Sequence, residues 1–133
     1  MKVILHASFW SKTREGQYSL KKEIDLPFAP FPGLRIWLAD LKGRLQKAKK
    51  IGSDWDVAGF YEVDTVAWDQ DRGCFEVESP AFDRNTRADE FRAECDTMEE
   101  VRQTVRFFID VEDFFIARST DPNCPVEEPG AKT

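Results

Sequence analysis

The feature that most constrains this chain is an alternation at its start. In KVILHASFW, residues 2–10, Val3, Leu5, Ala7 and Phe9 fall on one side of an extended backbone, and Ile4, His6, Ser8 and Trp10 on the other. That parity fits a strand with one core face and one mixed face. The polar turn SKTREG follows. Then Tyr18, Leu20, Ile24 and Leu26 alternate with Ser19, Lys21, Glu23 and Asp25. The two runs read as an antiparallel hairpin, with Lys22, which falls in the apolar register, marking an edge or a strand end. A single hairpin is not stable alone, so the rest of the chain has to cover its apolar face.

The stretch LPFAPFPG, residues 26–33, holds three prolines and two phenylalanines. In a polyproline II conformation, Phe28 and Phe31 share one ridge, and Pro27, Pro30 and Gly33 a second. Pro27 and Pro30 form a bare PxxP. The run lies between two predicted strands, however, where a stiff joint fits better than a recognition peptide. On that reading both rings are expected to tuck under the sheet edge or a helix. Exposed rings would instead make the stretch the best partner-binding candidate in the chain.

Leu34, Leu38, Leu41, Leu45 and Ala48 recur at helical spacing, while Leu34, Ile36 and Leu38 also alternate. Gly43 costs a helix about 1 kcal/mol relative to Ala. The expectation is a short strand near 34–38, then a partly helical or loose segment over about 39–50, then a loop at IGSDWD. From Val57 to Asp69 the pattern is strand-like but slips in phase near Asp64–Thr65, as a β-bulge would cause. WDQDRGCF turns the chain, and Phe75 and Val77 resume the alternation, giving a second hairpin. SPAFDRNTRADE reads as a loop, and Phe91, Ala93 and Cys95 as a further short strand. Thr97 and Glu100 form a capping box. It opens a helix at about 98–109 with a stripe of Met98, Val101, Val105 and Phe108. DFFIARS reads as a last strand. The sum is an α+β fold: a mainly antiparallel sheet of two hairpins plus short strands, packed by one well-capped helix. Residues 1–118 form a single globular domain, and 119–133, TDPNCPVEEPGAKT after Ser119, a disordered C-terminal tail.

The 133 residues suit one domain that folds without disulfides or metal. No apolar run reaches membrane length, and the N-terminus turns polar too early for a signal peptide. Cys74, Cys95 and Cys124 are odd in number and form no CxxC pair, which favours a reducing, cytoplasmic setting. The chain lacks a Gly-rich phosphate loop and a GxSxG. DQDRG, from Asp69, misses the calcium-loop pattern because Gly73 is fifth, not sixth. With one histidine, His6, metal sites built on several histidines are excluded. No catalytic residue, cofactor or metal is therefore assigned.

Charge is unevenly spread. Residues 1–53 carry 11 Lys/Arg and 4 Asp/Glu, net +7, and residues 54–133 carry 8 and 21, net −13. In the second hairpin Glu62 and Asp64, then Glu76 and Glu78, are expected on or near one face, where like charges oppose pairing unless a cation covers them. Eleven Phe and four Trp exceed what a minimal core requires. These features point to a non-enzymatic interaction module that binds a protein partner, one with basic surface being the complement. The candidate contacts are Glu62, Asp64, Glu76, Glu78, Phe28 and Phe31; a homodimer across a sheet edge is one form of such an interaction. An alternative is nucleic-acid binding through Lys42, Arg44, Lys47, Lys49 and Lys50, which an overall pI near 4.9 opposes. A second alternative is a small enzyme or ligand-binding domain with an aromatic pocket, which a hollow holding His6 beside an acid or cysteine would support.

Overall fold

In a computed structural model of the chain, residues 1–53, 57, 59–81 and 91–123 are described. The elements run β1 (Lys2–Ser11), β2 (Gln17–Asp25), β3 (Arg35–Trp37), α1 (Leu41–Lys50), β4 (Phe60–Glu62), β5 (Thr65–Asp69), β6 (Cys74–Glu78), β7 (Arg92–Cys95), α2 (Met98–Asp110) and β8 (Phe115–Ser119). The fold is α+β, as the sequence predicts.

The opening hairpin forms in the expected phase, with Phe9 opposite Tyr18 and Val3 opposite Ile24. Val3, Leu5, Ala7 and Phe9 are buried almost completely, and α2 packs across that face. Phe108 of α2 is the hub. Its ring lies 5.0 Å from Phe9, 5.4 Å from Phe91 and 5.6 Å from Phe114. The helix stripe Met98, Val101, Val105 and Phe108 is buried as its spacing requires. Thr97 Oγ1 accepts the Glu100 N–H at 3.2 Å. Glu100 reaches back one residue further than a capping box does, to the Asp96 N–H at 3.4 Å.

The main sheet runs β5-β6-β1-β2-β8, with β7 also on β1. It is mixed. The β1–β2, β2–β8 and β5–β6 pairs are antiparallel, but β6 and β7 both lie parallel to β1, one after the other along the same edge. A parallel neighbour needs a crossover, and β3, α1 and β4 lie within the connection to β6.

The phase slip near Asp64 has a different cause from the bulge it suggests. β4 pairs with β3 in a separate two-stranded sheet, while β5 pairs with β6 in the main one. The chain changes sheets at Val63–Asp64. Tyr61 of β4 reaches the main sheet, where its buried hydroxyl donates to His6 O at 2.6 Å, with Val77 O a weaker acceptor at 3.2 Å. Burial pushes this phenol above its ordinary range.

The helical stripe expected near 39–50 is also turned. α1 begins at Leu41, caps on Asp40, and buries Arg44 and Ala48, leaving Leu41 and Leu45 exposed. The orienting contact is a buried ion pair: Arg44 Nη1 donates to both Glu112 oxygens, at 3.1 and 2.9 Å. Arg44 Nε and Nη2 donate to the Ala39 and Leu38 carbonyls. Gly43 has a reason to stand in this helix. A Cβ there would come within 2.4 Å of the capping Asp40 carboxylate. Lys22, expected at an edge or a strand end, lies inside β2, just past the stretch that pairs with β8. It donates to Glu112 O at 2.8 Å and sits over the Phe114 ring.

Past Ser119, where composition turns polar, the chain stays attached. The Gln17 carbonyl accepts the Thr120 N–H. Asp121 is fully buried, bonded to Tyr18 Oη at 2.7 Å and to Arg102 Nε and Nη2 at 2.8 and 3.1 Å. The Arg102 hydrogen bonds, more than its other contacts, hold the Asp121 carboxyl below the usual carboxylate range. The remainder of the predicted tail, from Cys124, lies outside the described residues.

Candidate functional surfaces

The strap from Leu26 to Gly33 carries the chain from β2 to β3. It is tied at both ends: the Leu26 N–H donates to Met1 O at 2.8 Å, and the Gly33 N–H to Val63 O at 2.7 Å. Gly33 has φ +90°, a turn that other residues resist. The sequence places Phe28 and Phe31 on one ridge, and their rings do meet, with centroids 6.4 Å apart. The expectation that they are buried fails: Phe28 is 46% and Phe31 52% exposed. Between Pro27 and Gly33 the strap buries a single residue. That residue is Pro30, while Pro27, Ala29 and Pro32 are exposed with the two rings. Met1, bonded to the start of the strap, also lines an apolar notch of about 300 Å³ with Trp68 and Phe75. Those two rings meet at 4.8 Å, and Trp68 is 55% exposed.

The acidic cluster does not gather. Glu62 goes with β4 to the second sheet, 3.7 Å from Arg35. Across the β5–β6 ladder, Glu76 faces Ala67 and Glu78 faces Thr65, so no acid opposes an acid. Glu76 accepts from His6 Nε2 at 2.9 Å and lies 3.7 Å from Lys21 Nζ. Glu78 lies 3.9 Å from Arg92. Asp64 alone of the four is exposed with no ion pair among the described residues.

The basic segment is divided as well. Lys42, Lys49 and Lys50 are exposed. Lys47 pairs with Asp113 at 3.1 Å, and Arg44 is 2% exposed inside its pair with Glu112. Three lysines of the five thus remain open to solvent, two of them in the last turn, where they complement the helix dipole.

Sequence reasoning did not single out the face of the sheet opposite α2. There, Ser8 and Ser19 stand directly across the β1–β2 ladder, and two such small side chains leave a hollow of about 480 Å³ between larger neighbours, His6 and Trp10 among them. The pairing of His6 with Glu76 was visible only as two residues 70 apart. Cys74 and Cys95 are buried. Burial first, then the charges of Asp69 and Glu76, pushes the Cys74 thiol up, away from nucleophilic use. No group of three metal-ligating side chains occurs among the described residues, and no helix among them is long and apolar enough to cross a membrane. In comparisons with known proteins, the chain matches no family model, no curated protein and no solved structure.

Proposed function

We propose that this protein is a non-enzymatic interaction module that binds a protein partner through the strap at Phe28 and Phe31. One observation carries the reading. Two large rings touch each other while standing half out in solvent, on a backbone fixed by prolines and by hydrogen bonds at both ends. Such rings contribute little to the fold from that position. Held in place before binding, they lose little entropy on contact, and aromatic anchors of this kind carry much of the energy of protein interfaces. The acidic excess of residues 54–133 makes a basic partner the electrostatic complement. The earlier acidic hairpin face contributes less, because three of its four carboxylates have cationic neighbours within the chain.

The test compares the wild-type chain with F28S/F31S as bait in extracts of the cells that make the protein, after melting curves show both folded. The expected result is a small set of proteins held by the wild type and lost both with the double substitution and with added salt. Identical profiles for the two baits would overturn the reading.

A further inference from the structure

We propose that the hollow on the open face of the sheet is a binding site for a small planar organic carboxylate. The argument begins with its shape. Along β1 the residues on this face are Ile4, His6, Ser8 and Trp10, and the ladder sets Lys21 beside His6, Ser19 beside Ser8, and Gln17 beside Trp10. The serine pair forms a floor, with long side chains rising at either end. A volume of about 480 Å³ lies within the range of small-ligand sites.

Charge points to the ligand's sign. β7 places Arg92 next to Ser8, where it lines the hollow, and β8 places Arg118 next to Ser19 on the adjoining strand. Arg14, on the hairpin turn, is the second arginine of the lining. Among the described residues neither Arg14 nor Arg118 has a carboxylate partner, and the contact of Arg92 with Glu78 is a long 3.9 Å. Two arginines and His6 line this polar hollow with one acid, Glu78, and on the flanking strands Arg118 stands beside Ser19 and Glu94 beside Trp10. In a chain of net charge −6 the cations facing the serine floor make it an arrangement for an anion. Guanidinium forks suit the two oxygens of a carboxylate.

Hydrogen bonding and stacking narrow it further. Gln17 Nε2 donates to Ser8 Oγ at 3.0 Å, which leaves the Ser8 hydroxyl proton free to be given to a bound oxygen. His6 is fixed in orientation by its Nε2–Glu76 hydrogen bond. The Trp10 indole, half-buried at the end of the floor, offers a flat apolar wall to a planar group. This site is on a different face from the core packing of α2 and does not depend on the strap.

The probe is benzoate, with its neutral analogue benzamide as control, titrated at millimolar concentrations into the ¹⁵N-labelled full chain. Benzoate is expected to shift the Trp10 indole N–H and the amides of Ser8, Ser19 and Arg92, and benzamide to shift them much less. R92Q should weaken benzoate binding by about tenfold or more, as loss of a charge-assisted contact does. S8V, which fills the floor without removing charge, should abolish it while the rest of the spectrum stays in place. Equal response to the two probes, shifts scattered over surface lysines, or binding unaffected by S8V would overturn the proposal.

Discussion

Strand β1 has two faces, one residue out of step with each other, and they are built differently. Val3, Leu5, Ala7 and Phe9 are sealed against α2, whereas His6, Ser8 and Trp10 keep part of their surface in water. The first face is apolar and filled by interlocking rings. The second is polar, with its smallest side chains at the centre. The strap resembles the second: it is rigid, but its large side chains are not used up by the core. The molecule thus separates what holds it together from what it leaves available, and substitutions on the two sides should behave differently.

The largest contrast is between neighbours. Phe9→Ala is expected to cost about 3–5 kcal/mol, the loss of a packed core ring plus the cavity left behind. Trp10→Ala, on the open face, should cost about 1 kcal/mol or less. Urea unfolding of the two variants checks this, and comparable losses would break the distinction between the faces.

Next comes the buried pair that turns α1. Glu112→Ala leaves Arg44 charged and enclosed, and should cost about 3 kcal/mol or more, whereas R44M/E112L should recover most of that loss because no buried charge is left. If the single variant melts like the wild type, the pair does not set the position of α1.

A smaller effect, dependent on pH, is expected at Asp121. Its carboxyl titrates below the ordinary range in the folded chain, so the folded state favours the charged form. The stabilisation is full above the unfolded pKa of about 3.9 and is lost as pH falls below it toward the folded value. Asp121→Asn should therefore be less stable than wild type at neutral pH, by about 1–3 kcal/mol. The gap should narrow steadily below about pH 4. A gap that stays constant as the solution is acidified would show that the charge on Asp121 does not matter.

The smallest effect is expected at the strap. Phe28→Ala and Phe31→Ala each remove a ring that is already half in water, and should lower stability by about 1 kcal/mol or less. A loss of core size at either position would mean that the rings serve the fold.

Much of this architecture could be read from local pattern. The first hairpin, the turn at Gly73, the capped helix and the last strand all follow from alternation, helical spacing or turn chemistry within a few residues. What was misread depends on distant partners. The slip near Asp64 was legible, but only the pairing of β4 with β3 shows that it is a change of sheet. The leucines of α1 have helical spacing, yet Glu112, 68 residues away, decides which side faces in. Asp121 looked like the start of a polar tail because Tyr18, its partner, lies 103 residues earlier. For the proline run, the sequence supplied the pairing of the two rings but not that both stand half in solvent. The hollow left only a faint trace, a serine at the centre of each of two paired strands.

Site-specific photocrosslinking in the source cells tests the central claim most directly, with a benzophenone side chain placed at Phe31 in one chain and at Trp10 in another. The account predicts a discrete protein adduct through position 31, diminished by Phe28→Ala, and none through position 10. A protein adduct through position 10 with none through position 31 would contradict it.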